Sequence, residues 1–143
     1  MTCYLLDVNV LIALVDSSHV HHDEAHAWFA QVGLAAWASC PMTENGLLRI
    51  LGNPRYPNSP GGPAAAVGAL AALCALPGHV FWPDNVSLLS SDRVDASRLL
   101  SHGQVTDSYL LALACGHQGK LATFDKRLVA DAVQGGKEAL HLI

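Results

Sequence analysis

Charge is scarce in this chain. Only 14% of its 143 residues are charged, and eight of those are Lys or Arg, leaving a formal charge of −4. So few cations exclude broad electrostatic attraction to a polyanion and leave room only for a local basic rim. Hydrophobic residues make up 51% of the chain, which excludes disorder as its default state. No CxxC pair occurs among Cys3, Cys40, Cys74 and Cys115, so neither a zinc ribbon nor a disulfide framework is expected. Free thiols in a reducing cytoplasm are the simpler reading. Long apolar runs are also missing. The Ala-rich stretch from Ala64 to Leu76 is too short to span a bilayer, and the N-terminal run lacks a basic flank and is broken by Asp7. Repeats, linkers and low-complexity tracts are absent too. The expectation is one cytoplasmic domain, residues 1–143, with no membrane partner and a core burying about 68–70% of the unfolded surface.

What is present is an alternation of short β-like runs and helical patterns, the mark of an α/β domain with a central, mostly parallel sheet. Strands are expected over Tyr4 to Asp7, Ala36 to Ser39, His79 to Trp82, Lys120 to Phe124 and Leu140 to Ile143. Helices are expected over Val10 to Val15, His22 to Val32, Thr43 to Leu51, Ala64 to Leu76, Val86 to Ser101, Thr106 to Gly116 and Lys126 to Val133. Gly52 to Pro63 is a loop on composition alone.

This arrangement puts four acids at transitions between apolar and polar chain. Asp7 and Asp125 end strands, while Glu44 and Asp107 fall in the first turns of helices. In open α/β sheets both kinds of position face the carboxyl edge of the sheet, where ligands bind. Thr123 and Asp125, two apart on a strand, share a face. Two like charges about 4 Å apart cost roughly 1 kcal/mol in water and about 4 at an effective dielectric near 20. Four gathered carboxylates therefore either hold protons or hold a cation. All-oxygen donors select Mg²⁺ or Mn²⁺ rather than zinc.

Plainer readings compete with this one. An acid after Thr43 or Thr106 simply stabilises a helix whose N-cap is the threonine, and an Asp after a strand is an ordinary turn residue. His22 and His26, four apart on a helix, could hold zinc, yet HDEAH is not the HExxH of metalloproteases. An aspartyl phosphatase needs a second Asp two residues after the first, where this chain has Asn9. A module that keeps an acidic pocket only to hold a partner is the non-enzymatic alternative.

LLDVNVLIAL, TENGLLRILGNPRY, VTDSYLLALA and LATFDKRL, in that order and spacing, together with FWPDNVSLLS, resemble the PIN-domain ribonucleases of the VapC toxin group along essentially the whole chain. The resemblance implies a PIN-like three-layer α/β/α sandwich with an acidic pocket for one or two Mg²⁺ or Mn²⁺ ions. Asp7, Glu44 and Asp107 are then the principal acids and Asp125 the fourth, with Asn9 orienting the first carboxylate and Thr123 supporting the site. The implied activity is metal-dependent hydrolysis of structured cellular RNA, tRNA or rRNA, by activated water, leaving 5′-phosphate and 3′-hydroxyl ends. Lys120, Lys126, Arg127 and Arg55 become the expected phosphate contacts. A VapB-like antitoxin whose C-terminal segment lays an Arg across the carboxylates, and a homodimer, are the implied partners.

Overall fold

The computed structural model describes residues 1–143. Five parallel strands, β1 (Tyr4–Leu6), β2 (Trp37–Ser39), β3 (His79–Phe81), β4 (Lys120–Thr123) and β5 (Leu140–Leu142), form one sheet in the order β3-β2-β1-β4-β5. Parallel neighbours need crossovers, and helices supply them. These are α1 (Val8–Val15), α2 (His22–Gln31), α3 (Pro41–Leu51), α4 (Pro63–Cys74) and α5 (Val105–Gly116), with a single turn, α6 (Gly136–Ala139), before β5.

Period-two alternation divides the strands between two cores. Leu5, Ala38 and Leu121 pack with Leu110, Leu111 and Leu113 of α5 on one face. Leu6, Trp37 and Ala122 pack with α1 to α4 through Val10, Leu11, Phe29, Leu47 and Leu70 on the other. The result is the expected three-layer α/β/α arrangement. Strand order reverses at β1, which lies between β2 and β4, so the crevice at a switch point opens beyond the ends of β1 and β4.

Three expectations need correction. Val86 to Ser101 is not a helix but a string of turns with one 3₁₀ turn at Ala96–Arg98. Its Ser and Asp side chains bond their own backbone, Ser87 Oγ accepting from Leu89 N at 3.1 Å and Asp95 Oδ1 from Ser97 N at 3.1 Å, which competes with helical bonding. Lys126 to Val133 is not helical either. An antiparallel bridge between Val94 and Val133, flanked by Asp95 N to Ala132 O at 2.8 Å, holds it against the previous segment. Lastly, Thr43 and Thr106 are not N-caps. Helix α3 starts two residues earlier, at Pro41 after Cys40, and Thr43 Oγ1 reaches back to accept from Cys40 N at 3.0 Å; α5 starts at Val105 after Gln104.

Candidate active site

Asp7 follows the last residue of β1 and caps α1. Its Oδ1 accepts from Val8 N at 2.7 Å, satisfying one of the helix's free amides. The other oxygen, Oδ2, accepts from Thr123 Oγ1 at 2.8 Å, at the end of β4. Asn9, in the first turn of α1, donates through Nδ2 to Thr123 Oγ1 at 3.1 Å and accepts from Phe124 N at 3.2 Å. Thr123 Oγ1 also accepts from Asp125 N at 3.1 Å. One hydroxyl thus ties together the ends of two adjacent strands and the start of a helix. Asp7 is only 9% exposed, so both of its oxygens are held in place.

Asp107 enters from the opposite layer, in the first turn of α5. Burial, then the charges of Asp7 and Asp125, push its carboxyl up to about 6. Burial likewise raises Asp7, against the hydrogen bonds from Thr123 and Val8 that favour its charged form, and the Asp125 charge raises it further. The molecule's ion pairs join His21 to Glu24, Arg98 to Asp95 and Lys137 to Asp131, and none involves these three aspartates. Their mutual repulsion is therefore not relieved by any cation of the same chain. An all-oxygen donor set in that state fits a hard divalent ion.

Glu44 does not share these contacts. Its carboxylate accepts from Ser39 Oγ at 2.6 Å and lies with Cys74 and His79, on the α4 side of α3. Of the four acids expected to converge, Asp7, Asp107 and Asp125 act on one another, and Glu44 is held elsewhere. The reason is helical geometry: Gly46, two residues on, is the position that meets Val8, where an added Cβ would come within 2.7 Å of its side chain. Two residues span about 200° of helix, so Glu44 faces the other way. Lys120 also departs from expectation. It begins β4, about 10 Å along the strand from Thr123 and at the opposite edge of the sheet. An open groove of about 590 Å³ also lies away from the aspartates, lined by Asp92, Arg93, Cys115, Gln134 and Glu138.

The histidine-rich segment has a structural task. His22 Nδ1 lies 2.7 Å from Ala13 O and His26 Nε2 2.8 Å from Leu14 O, so both rings bond carbonyls left free at the end of α1. These nitrogens are not available to a zinc ion. His21 stacks flat on Phe124, with ring centres 4.5 Å apart, beside Asp125. Sequence reading also passed over Asp16, which is 6% exposed and accepts from Tyr56 Oη, Asn58 Nδ2 and Ser18 N. It anchors the Gly52 to Pro63 loop to the end of α1. Its signal was an acid closing an apolar helix with no Lys or Arg near it in sequence.

With this geometry in view, known proteins identify the fold family. Residues 4–133 match the PIN domain family. Ribonuclease VapC44 of Mycobacterium tuberculosis is 49% identical over 131 residues, covering 92% of each chain, and ribonuclease VapC39 of the same organism is 45% identical over 136 residues, covering 95% of this chain and 98% of its own. Among solved structures, M. tuberculosis VapC20, described as a sarcin-ricin loop cleaving toxin, superposes with a TM-score of 0.62 at 15% identity, covering 87% of this chain and 91% of its own. VapBC2 of Rickettsia felis, bound to a DNA fragment from its promoter, gives 0.63 at 10% identity with 99% of both chains covered. The two superpositions carry the fold alone, whereas the family match over residues 4–133 and identities of 45–49% over more than nine-tenths of the chain carry the relationship, and the chain belongs to the PIN-domain family, in its VapC ribonuclease group.

Proposed function

We propose that the chain is a metal-dependent endoribonuclease, the toxin of a type II toxin–antitoxin pair, which hydrolyses phosphodiester bonds in structured RNA such as tRNA or rRNA. The observation that carries this reading is a set of three aspartates, Asp7, Asp107 and Asp125, acting on one another with no cation of their own chain among them. When bound there, Mg²⁺ or Mn²⁺ supplies the positive charge that polarises a phosphate and lowers the pKa of a water. The protein's part is positional. Thr123 and the Val8 amide fix both oxygens of Asp7, Asn9 braces Thr123, and Asp107 closes the set from the other layer. Glu44 joins this set only by giving up Ser39, so the aspartates are the proposed primary ligands and Glu44 an auxiliary acid.

Phosphate contacts are assigned to Lys126 and Arg127, exposed just after Asp125, and to Arg49 and Arg55, which line an open groove with Asn53 and Tyr56. A strand of RNA presented to the aspartates would meet these cations in an otherwise acidic molecule. The same carboxylates suit an antitoxin arginine, because a guanidinium relieves their repulsion as a metal does. A VapB-like partner and a homodimer in the cytoplasm complete the reading. Cleavage of total RNA by the purified protein is expected to require Mg²⁺ or Mn²⁺ and to give 5′-phosphate ends. Asp7→Asn or Asp107→Asn should lower the rate by at least about a hundredfold, as loss of groups acting at the reacting phosphate does. Undiminished cleavage in chelator would overturn the metal mechanism, and intact RNA with intact antitoxin binding would make the protein a binding module.

A further inference from the structure

Away from the aspartates, three donors of different chemistry meet under the sheet's β2–β3 corner. Glu44 comes from α3, Cys74 is the last residue of α4, and His79 is the first of β3. Their carboxylate oxygen, thiol sulfur and ring nitrogen all lie within 4.8 Å of one another, and all three residues are half-buried. Ser39, at the end of β2 and fully buried, sits among them. Its hydroxyl donates to Glu44 Oε2 at 2.6 Å and lies 2.7 Å from His79 Nε2. The His79 ring is held against Trp37, with centres 4.5 Å apart. Nothing in the proposed cleavage chemistry uses Cys74 or His79.

We infer that Glu44, Cys74 and His79 form a binding site for a borderline transition-metal ion, zinc above all, set apart from the three aspartates by its sulfur and nitrogen donors, with Glu44 the one acid that both sites can claim. The donor set decides the class of ion. A thiolate and an imidazole beside one carboxylate suit Zn²⁺ and disfavour Mg²⁺, which takes oxygen ligands. Geometry requires little adjustment. Zn–S of about 2.3 Å and Zn–N of about 2.0–2.1 Å place tetrahedral ligand atoms roughly 3.5 Å apart. Side-chain rotations of about 1 Å close the present spacing to that figure. A cavity of about 230 Å³ between α3 and α4, lined by Glu44, Leu48, Val67, Leu70, Ala71 and Cys74, leads to the donors and gives them a mostly apolar wall. Three protein ligands leave a fourth position for water or for Ser39 Oγ, so the site exchanges its ion with solvent rather than sealing it in.

Coordination has a definite proton balance. Burial raises the Cys74 thiol above its ordinary value, so the metal-free protein holds the proton on sulfur. Formation of the S–Zn bond breaks the S–H bond and releases that proton to solvent. At His79 the neutral ring ligates through the nitrogen that carries no proton, its one N–H remaining on the other nitrogen. The competing arrangement is the Ser39-centred hydrogen-bond cluster with no affinity for metal. The two differ in what zinc does to Cys74.

The test uses the full chain, stripped with chelator and kept in excess Mg²⁺ so that oxygen-only sites are occupied. Titration with Zn²⁺ against a chromophoric competitor is expected to show one equivalent bound. Cys74→Ser and His79→Gln should each weaken its Kd by at least about tenfold, no less than loss of a metal's supporting contacts. Co²⁺ in place of zinc should give near-ultraviolet thiolate-to-metal charge transfer that disappears in Cys74→Ser. Zinc should also protect Cys74, but not Cys3 or Cys115, from alkylation, read by peptide mass spectrometry on the unsubstituted protein. That arm decides the matter if a variant fails to fold. Equal zinc affinity in the unsubstituted and Cys74→Ser proteins, or unprotected Cys74 in saturating zinc, would overturn the site. Neither readout involves RNA cleavage, so failure of the zinc site and failure of the nuclease reading are told apart.

Discussion

At the scale of single residues, Asp107 couples the site to stability. Its carboxyl ordinarily titrates at 3.8 and in the folded chain at about 6. Between those values the native state binds more protons than the unfolded chain, so metal-free stability falls as pH rises through the window. The expected result is a higher melting temperature in chelator at pH 5 than at pH 7.5, with the difference abolished by Mg²⁺ or by Asp107→Asn. That substitution should stabilise the metal-free protein at pH 7.5 by on the order of 1 kcal/mol, after allowance for solvent around a half-exposed group. A loss of stability on substitution would assign Asp107 to structure instead. The meeting of Asp7 and Asp125 was legible because each follows a strand. Thr123 was legible because it shares their edge. The orientation of Glu44 was not legible. Placing an acid in a helix's first turn does not fix which side of the helix it faces, and that was decided by Gly46 packing on Val8.

At the scale of elements, α1 carries Asp7 and Asn9 and is secured at both ends. Asp7 caps its start, while His22, His26 and the Asp16 cluster hold its finish. Burial tends to raise Asp16, but its bonds from Tyr56, Asn58 and Ser18 win and hold it below the ordinary carboxylate value. Tyr56 in turn is pushed up to about 12 by burial and the adjoining carboxylate. Asp16 therefore adds stability that is full above about pH 4 and lost as pH falls through its folded value, the opposite sign to Asp107. Asp16→Ala is expected to cost about 1–3 kcal/mol, the range for stranding partners of a charged group, and to release the Gly52 to Pro63 loop. Faster tryptic cleavage at Arg55, with the α5 side of the molecule unaffected, is the check. Five strands and five long helices could be read from alternation and periodicity alone. The segments from Val86 to Ser101 and Lys126 to Val133 could not, because a cross-chain bridge and self-bonded Ser and Asp side chains override helical spacing there.

At the scale of the whole molecule, the excess of acids leaves the proposed RNA contacts to a few cations rather than to a broad surface. Replacing Lys126 and Arg127 together by Ala should raise KM for RNA several-fold with kcat little changed, and flatten the dependence of binding on salt by about two phosphate contacts. A fall in kcat at constant KM would place these residues among the reacting groups instead. The layered fold was legible because the strand pattern splits its apolar residues between two faces. The sheet order was not, since periodicity says nothing about which strands are neighbours. That order has a consequence for biosynthesis. The first strand made is the middle one of the sheet, and the hydroxyl that holds Asp7 arrives 116 residues later, at Thr123. A growing polypeptide, extended at about 5–20 residues per second, therefore stays without an assembled carboxylate cluster until translation is nearly finished. Any product truncated before Thr123 is expected to be harmless to the cell that makes it.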